Sequence, residues 1–69
     1  MPLTLVQAGE SGQIRQVFGR KDTRRFLEGL GFVVGSEVQV VARMSGNVIV
    51  NIKNSRVAIS REMANRIMV

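Results

Sequence analysis

The sequence predicts a mainly β fold, a small five-stranded barrel with one helix between strands two and three and a short helix at the end. Three observations lead there. Residues 37–53 alternate apolar and polar side chains with the period of two that a half-buried strand requires. Seven glycines punctuate a chain whose one proline is Pro2, and the segments between them are short. A length of 69 residues leaves room for one core, so the expected organisation is a single domain over 1–69.

The first two strands are expected over Leu3 to Ala8 and Gln13 to Phe18, separated by Gly9-Glu10-Ser11-Gly12. In the second, Ile14 and Phe18 share a face while Val17 breaks the alternation, which predicts a bulge or bend. The helix that follows reads from Asp22 to Leu30, with Asp22 as its N-cap. Phe26 and Leu30, four apart, form its inner face, Leu27 lies at the flank, and Gly31 supplies the left-handed residue after the last turn, followed by apolar Phe32.

Strands three to five make a meander. Val38, Val40 and Ala42 alternate with Glu37, Gln39 and Arg43; after Met44-Ser45-Gly46, Val48, Val50 and Ile52 alternate with Asn47, Asn51 and Lys53. A turn at Asn54-Ser55 then leads to Val57 and Ile59, against Arg56, Ala58 and Ser60. The expected register sets Ala42 opposite Val48, Val40 opposite Val50 and Val38 opposite Ile52; Ile52 meets Val57 and Val50 meets Ile59. A slip of one residue would turn the whole apolar set to solvent. The same register puts Val41 and Ile49 directly opposite each other on the outer face, with Ser60 alongside. A short helix starts after Ser60 as N-cap, with Glu62 in its first turn and Met63, Ala64 and Ile67 on its inner stripe.

Composition removes several classes of function. There is no Cys and no His, which excludes disulfides, thiolate or imidazole metal sites, Cys nucleophiles and His bases. The five carboxylates, Glu10, Asp22, Glu28, Glu37 and Glu62, are scattered along the chain, only Asp22 and Glu28 sharing an element, and no pair has a spacing that would put two acids on one face. No glycine-rich loop precedes a Lys-Ser or Lys-Thr, so a nucleotide loop is absent, and no cofactor is expected. No apolar run nears the roughly 18–20 residues of a membrane span, and the N-terminus carries no basic stretch followed by an apolar one, so a cytoplasmic protein without membrane insertion is expected.

Charge is more informative. Ten basic residues against five acidic ones give +5. Residues 13–30 hold Arg15, Arg20, Lys21, Arg24 and Arg25 against Asp22 and Glu28, and residues 53–66 hold Lys53, Arg56, Arg61 and Arg66 against Glu62. Each stretch is a net +3. Two basic clusters suit either protein docking or a nucleic-acid footprint. Single-strand binders add stacking aromatics, whereas Tyr and Trp are absent and all three Phe are expected in the core. Nucleic acid is therefore the less favoured partner.

One run of residues, Arg24-Arg25-Phe26-Leu27-Glu28-Gly29-Leu30-Gly31-Phe32-Val33-Val34-Gly35-Ser36-Glu37-Val38, resembles the ferrous iron transport protein A (FeoA) family. The endings Gly46-Asn47-Val48-Ile49-Val50 and Arg56-Val57-Ala58-Ile59-Ser60-Arg61-Glu62-Met63-Ala64-Asn65-Arg66-Ile67-Met68-Val69 are similar to it as well. Two departures stand out: many members carry Pro where this chain has Val34, and a longer loop where it has Met44-Ser45-Gly46. The resemblance implies a Src-homology-3-like barrel and a cytosolic, non-enzymatic accessory of the membrane ferrous iron permease, docking onto its GTP-binding region. The resemblance also implies transition-metal binding, which a chain without His or Cys does not support. The expected contact residues are Arg24, Arg25, Leu27 and Glu28 on the helix and the outward pair Val41 and Ile49, because they join basic to apolar side chains that the core pattern does not use. Self-association through the Val41/Ile49 face is a further expectation, and a small basic nucleic-acid-binding barrel is the alternative.

Overall fold

Two tight turns build the centre of the molecule. In the computed structural model, which describes residues 1–69, strands β3 (Glu37–Met44), β4 (Asn47–Ile52) and β5 (Ser55–Ser60) run antiparallel through two-residue loops. Ser45 and Gly46 (φ 50° and 82°) make the first loop, Lys53 and Asn54 (φ 50° and 63°) the second. Positive φ at both central residues is the twist that joins two strands tightly, and Gly and Asn adopt it at least cost.

The second turn therefore sits at Lys53-Asn54 and not at Asn54-Ser55. Ile52 faces Ser55, Val50 faces Val57 and Val48 faces Ile59, a displacement of two residues from the expected register. Because side chains alternate with a period of two, an even displacement keeps every residue on its face. Val48, Val50, Ile52 and Ile59 are buried, and Val57 packs against them half-buried.

The first hairpin departs in the opposite way. Val38 faces Ile52 and Val40 faces Val50 as expected, but a bulge at Val41 puts Ala42 opposite Ile49 and Arg43 opposite Val48. One extra residue reverses the parity of the strand. Directly opposed residues share a face, so Arg43 lies on the side of buried Val48 and Met44 turns out to solvent. Val41 and Ile49 are no longer opposite each other, and Ala58, not Ser60, flanks Ile49.

The N-terminal segment is a 3-10 turn over Leu3–Leu5 in place of the expected strand. Leu5 donates its N–H to the Pro2 carbonyl and Val6 to that of Leu3, so Leu3 and Val6, three apart, are the buried pair and Leu5 is exposed. The Arg43 guanidinium donates from Nη2 to the carbonyl oxygens of Thr4 (2.8 Å) and Val6. It thereby satisfies acceptors that a short turn leaves free.

The expected second strand, Gln13 to Phe18, is interrupted, and Ser11 and Gly12, expected in the turn before it, belong to a strand instead. β1 (Ser11–Gln13) joins the edge of β3, the chain bends so that Ile14 enters the core, and β2 (Gln16–Val17) belongs to a second sheet. Its partner is β6 (Ile67–Met68) at the end of the chain, a strand that was not expected. The result is six short strands in a four-stranded sheet, ordered β1-β3-β4-β5, and a two-stranded one that closes the barrel. Thirteen apolar side chains fill it, and no buried polar side-chain atom lacks a partner.

Helix α1 (Lys21–Gly29) ends as the glycine pattern requires. The N–H of Phe32 reaches the Leu27 carbonyl (3.0 Å) and that of Gly31 (φ 107°) the Glu28 carbonyl (2.9 Å). This is a Schellman closure, with the buried side chains of Leu27 and Phe32 at its ends. The N-cap is Arg20 and not Asp22; Asp22 lies in the first turn, where Oδ1 accepts from the N–H of Thr23 and its charge still faces the positive end of the helix. Helix α2 (Arg61–Ala64) starts as expected, the Ser60 hydroxyl oxygen accepting from the N–H of Met63 at 3.2 Å.

Candidate docking surface

The nine residues of α1 bury one side chain completely, that of Leu27. Leu27 is therefore a core residue, and its expected place in a contact surface is corrected: the helix turns it, not Phe26, to the interior. Phe26 is 55% exposed. Leu30 is half-buried against the core.

Arg24 and Glu28, four apart on one side of the helix, overhang a groove of about 400 Å³. Gln16 and Val17 of β2 line it with Phe32, Val33 and Val34, so four of its seven lining residues are apolar. Arg25, Val41 and Ile49 lie outside this groove. Arg25 is exposed on the same helix; Val41 and Ile49 are half-buried on β3 and β4 and stand apart from the core cluster. The structure thus gathers Arg24 and Glu28 into one site and separates them from the strand pair.

Sequence reasoning missed the floor of the groove. Its signal was the run Phe32-Val33-Val34: the helix closure fixes Phe32 inside, and Val34 two residues later is 67% exposed beside Gly35. Two of the three Phe also lie elsewhere than expected. Phe32 is in the core, while Phe18 (45% exposed) and Phe26 are on the surface.

The two basic stretches meet at the start of α1. A Cβ placed on Gly19 would lie 3.3 Å from Cδ of Arg66 and 3.4 Å from Cγ2 of Thr23, so the Arg66 side chain runs beside the segment that carries Arg20 and Lys21. At the other end of the helix the stem of Lys53 covers Gly31, 2.9 Å from where a Cβ would sit. Arg43 bonds carbonyl oxygens and Arg56 donates from Nε to Oδ1 of Asn51, so neither is neutralised by a carboxylate. The surface around α1 is cationic with apolar patches set in it.

Nowhere do three His, Cys, Asp or Glu side chains gather. The chain contains no imidazole and no thiolate. No helix is long and apolar enough to cross a membrane.

The FeoA domain model matches residues 1–69. The chain belongs to the FeoA family. A Methanocaldococcus jannaschii protein named as an Fe(2+) transport protein A is 31% identical over 68 residues, which is 99% of this chain and 83% of that one. A crystal structure of an iron uptake regulatory protein, FeoA, superposes with a TM-score of 0.92 at 27% identity, covering 100% of this chain and 93% of the other. The Stenotrophomonas maltophilia FeoA, solved with zinc and described as a prokaryotic SH3-domain protein, superposes with a TM-score of 0.86 at 28% identity over 100% of this chain and 88% of that one. The FeoA barrel described above is thus an SH3-like fold, as the sequence led one to expect.

Proposed function

We propose that this FeoA-family chain is a cytoplasmic accessory of ferrous iron uptake, with iron as the cargo of its partner. It works as one domain that docks on the membrane ferrous iron permease, at its cytosolic GTP-binding region, and carries out no chemistry itself. Family membership and the name of the Methanocaldococcus relative support the transport role. The observation that carries the docking reading is the groove under Arg24 and Glu28: an apolar floor framed by opposite charges on a helix held by one buried leucine. Such a patch pairs apolar area for affinity with charges that fix orientation.

The test is a titration of the labelled chain with the permease's soluble GTP-binding region, followed at each backbone amide. Shifts are expected at Gln16, Val17, residues 24–28 and residues 32–34. Reversing charge with Arg24→Glu and Arg25→Glu should weaken binding about ten-fold or more while the melting curve stays put, since both side chains are exposed. Undiminished affinity in that variant excludes this surface. A silent titration of the unaltered chain excludes the GTP-binding region as the partner.

One observation favours a second reading. Phe18 and Phe26 are exposed and flanked by Arg20, Lys21 and Arg25, which gives a nucleic acid both cations and stacking surfaces. That reading requires affinity for an oligonucleotide to fall with salt by about one log unit of slope per phosphate contacted.

A further inference from the structure

Strand β5 is the outer strand of the four-stranded sheet, and one of its edges has no neighbour. The two-residue turn at Lys53-Asn54 makes Ile52 and Ser55 the hydrogen-bonded closing pair. Antiparallel pairs alternate, so Ser55, Val57 and Ile59 spend their N–H and C=O groups on β4. The bond from the Arg61 N–H to the Gly46 carbonyl (3.0 Å) continues the same odd-numbered series. Arg56, Ala58 and Ser60 turn their N–H groups away from the sheet, and none of the three meets another backbone acceptor outside the strands.

Folded proteins usually blunt such an edge with a proline, a bulge, charged side chains or a very short strand, and in β5 the one charge is Arg56. β1, at the opposite edge, is three residues long. β5 is six residues long, pairs with β4 in unbroken register and contains no proline. Its outward side chains are exposed, and its inward ones, Val57 and Ile59, anchor it to the core.

The charge on β5 and its immediate flanks is positive, up to Glu62 in the first turn of α2. Residues 53–61 carry Lys53, Arg56 and Arg61 and no acidic residue. A hollow lies at each end of the strand. One, of about 710 Å³, is lined by Lys53, Ser55, Arg56, Asn51 and Gln39, with Glu37 as its one acid. In it the Arg56 side chain is fixed by its bond to Asn51, which in turn donates to Oε1 of Gln39. The other, of about 290 Å³, contains Arg43, Arg61, Thr4 and Asn47 and no carboxylate.

We propose that β5 accepts an additional strand from a partner protein, an extended segment with a small or β-branched centre and acidic residues on both sides. Its backbone pairs with Arg56, Ala58 and Ser60, and its carboxylates meet Lys53 and Arg56 at one end and Arg61 at the other. Main-chain bonds supply the affinity of such strand addition, and the flanking charges supply its selectivity. A second copy of this chain is the poorer occupant, because its own residues 53–61 would bring three more cations to the same edge. The surface is distinct from the groove under α1, so the proposal stands whichever protein provides the strand.

Hydrogen exchange of the full chain tests it, with an eight-residue peptide of alternating valine and threonine flanked by two glutamates at each end as the probe. Exchange at the amides of Arg56, Ala58 and Ser60 is expected to slow by about five-fold or more at millimolar peptide. A peptide with lysine in place of glutamate should have no effect. Ala58→Pro removes an N–H that β4 does not use, a change edge strands tolerate, and should abolish the protection; Ala58→Val should keep it. If Ala58→Pro fails to fold, Arg56→Glu with Arg61→Glu serves the same purpose and should remove the protection. No slowing with the acidic peptide, equal slowing with the lysine peptide, or protection that survives these variants overturns the proposal. Protection that grows with protein concentration in the absence of peptide also overturns it, and makes a second copy the occupant.

Discussion

Leu27 holds α1 to the barrel, and its neighbour Phe26, larger and equally apolar, is left in solvent. The two side chains differ by about 100° around the helix axis, and that rotation decides which one the core receives. Leu27→Ala should cost about 2–5 kcal/mol, as expected for a leucine lost from a filled interior. Phe26→Ala should change stability by about 0.5 kcal/mol or less. Urea titration of the two variants checks both, and a larger loss for Phe26 would reverse the assignment of the helix face. Glycine acts at the same scale: Gly31 holds φ 107° with the Lys53 stem pressed against it, so the helix closure tolerates no side chain there without strain.

At the scale of elements, the hairpins show what alternation does and does not reveal. The displacement between β4 and β5 was even, so the buried set was legible although the partners were not. The bulge at Val41 shifts by one, and one residue is enough to bring Arg43 from the outer face to the side of Val48. Nothing local to β3 announces it: the carbonyls of Thr4 and Val6 that Arg43 satisfies are 39 and 37 residues distant in sequence. The N-terminal turn and β6 were hidden for the same reason, because each gains its partner only when the barrel closes. Of the candidate site, the charged rim at Arg24 and Glu28 was readable from helix spacing. Its floor was not, since Val17 and Val34 come together only through the fold. The turn at Lys53-Asn54 offers a direct test of the register. Lys53→Asn with Asn54→Gly should stabilise the chain by about 0.5–1 kcal/mol, because both residues then suit positive φ. Thermal unfolding measures it, and a loss of stability would contradict the turn.

At the scale of the whole molecule, the barrel consists of a local part and a closing part. The meander β3-β4-β5 joins neighbours through two-residue turns. The closing part pairs Gln16 with Met68 and Val17 with Ile67, bridges Pro2 to Met68, and bonds the amino group of Met1 to the carbonyl oxygen of Val69 at 2.8 Å. Contacts so far apart in sequence carry the largest loop-closure cost, and we expect them to form after the point at which folding is committed. Val50→Ala, in the meander, should then slow folding with a φ-value of about 0.5–0.8, whereas Ile67→Ala should leave the folding rate nearly unchanged, with a φ-value of about 0–0.3, and quicken unfolding instead. Stopped-flow chevrons of the two variants distinguish these outcomes. On those expected outcomes the closing pairs set how long a folded molecule lasts, while the meander sets how quickly one arises.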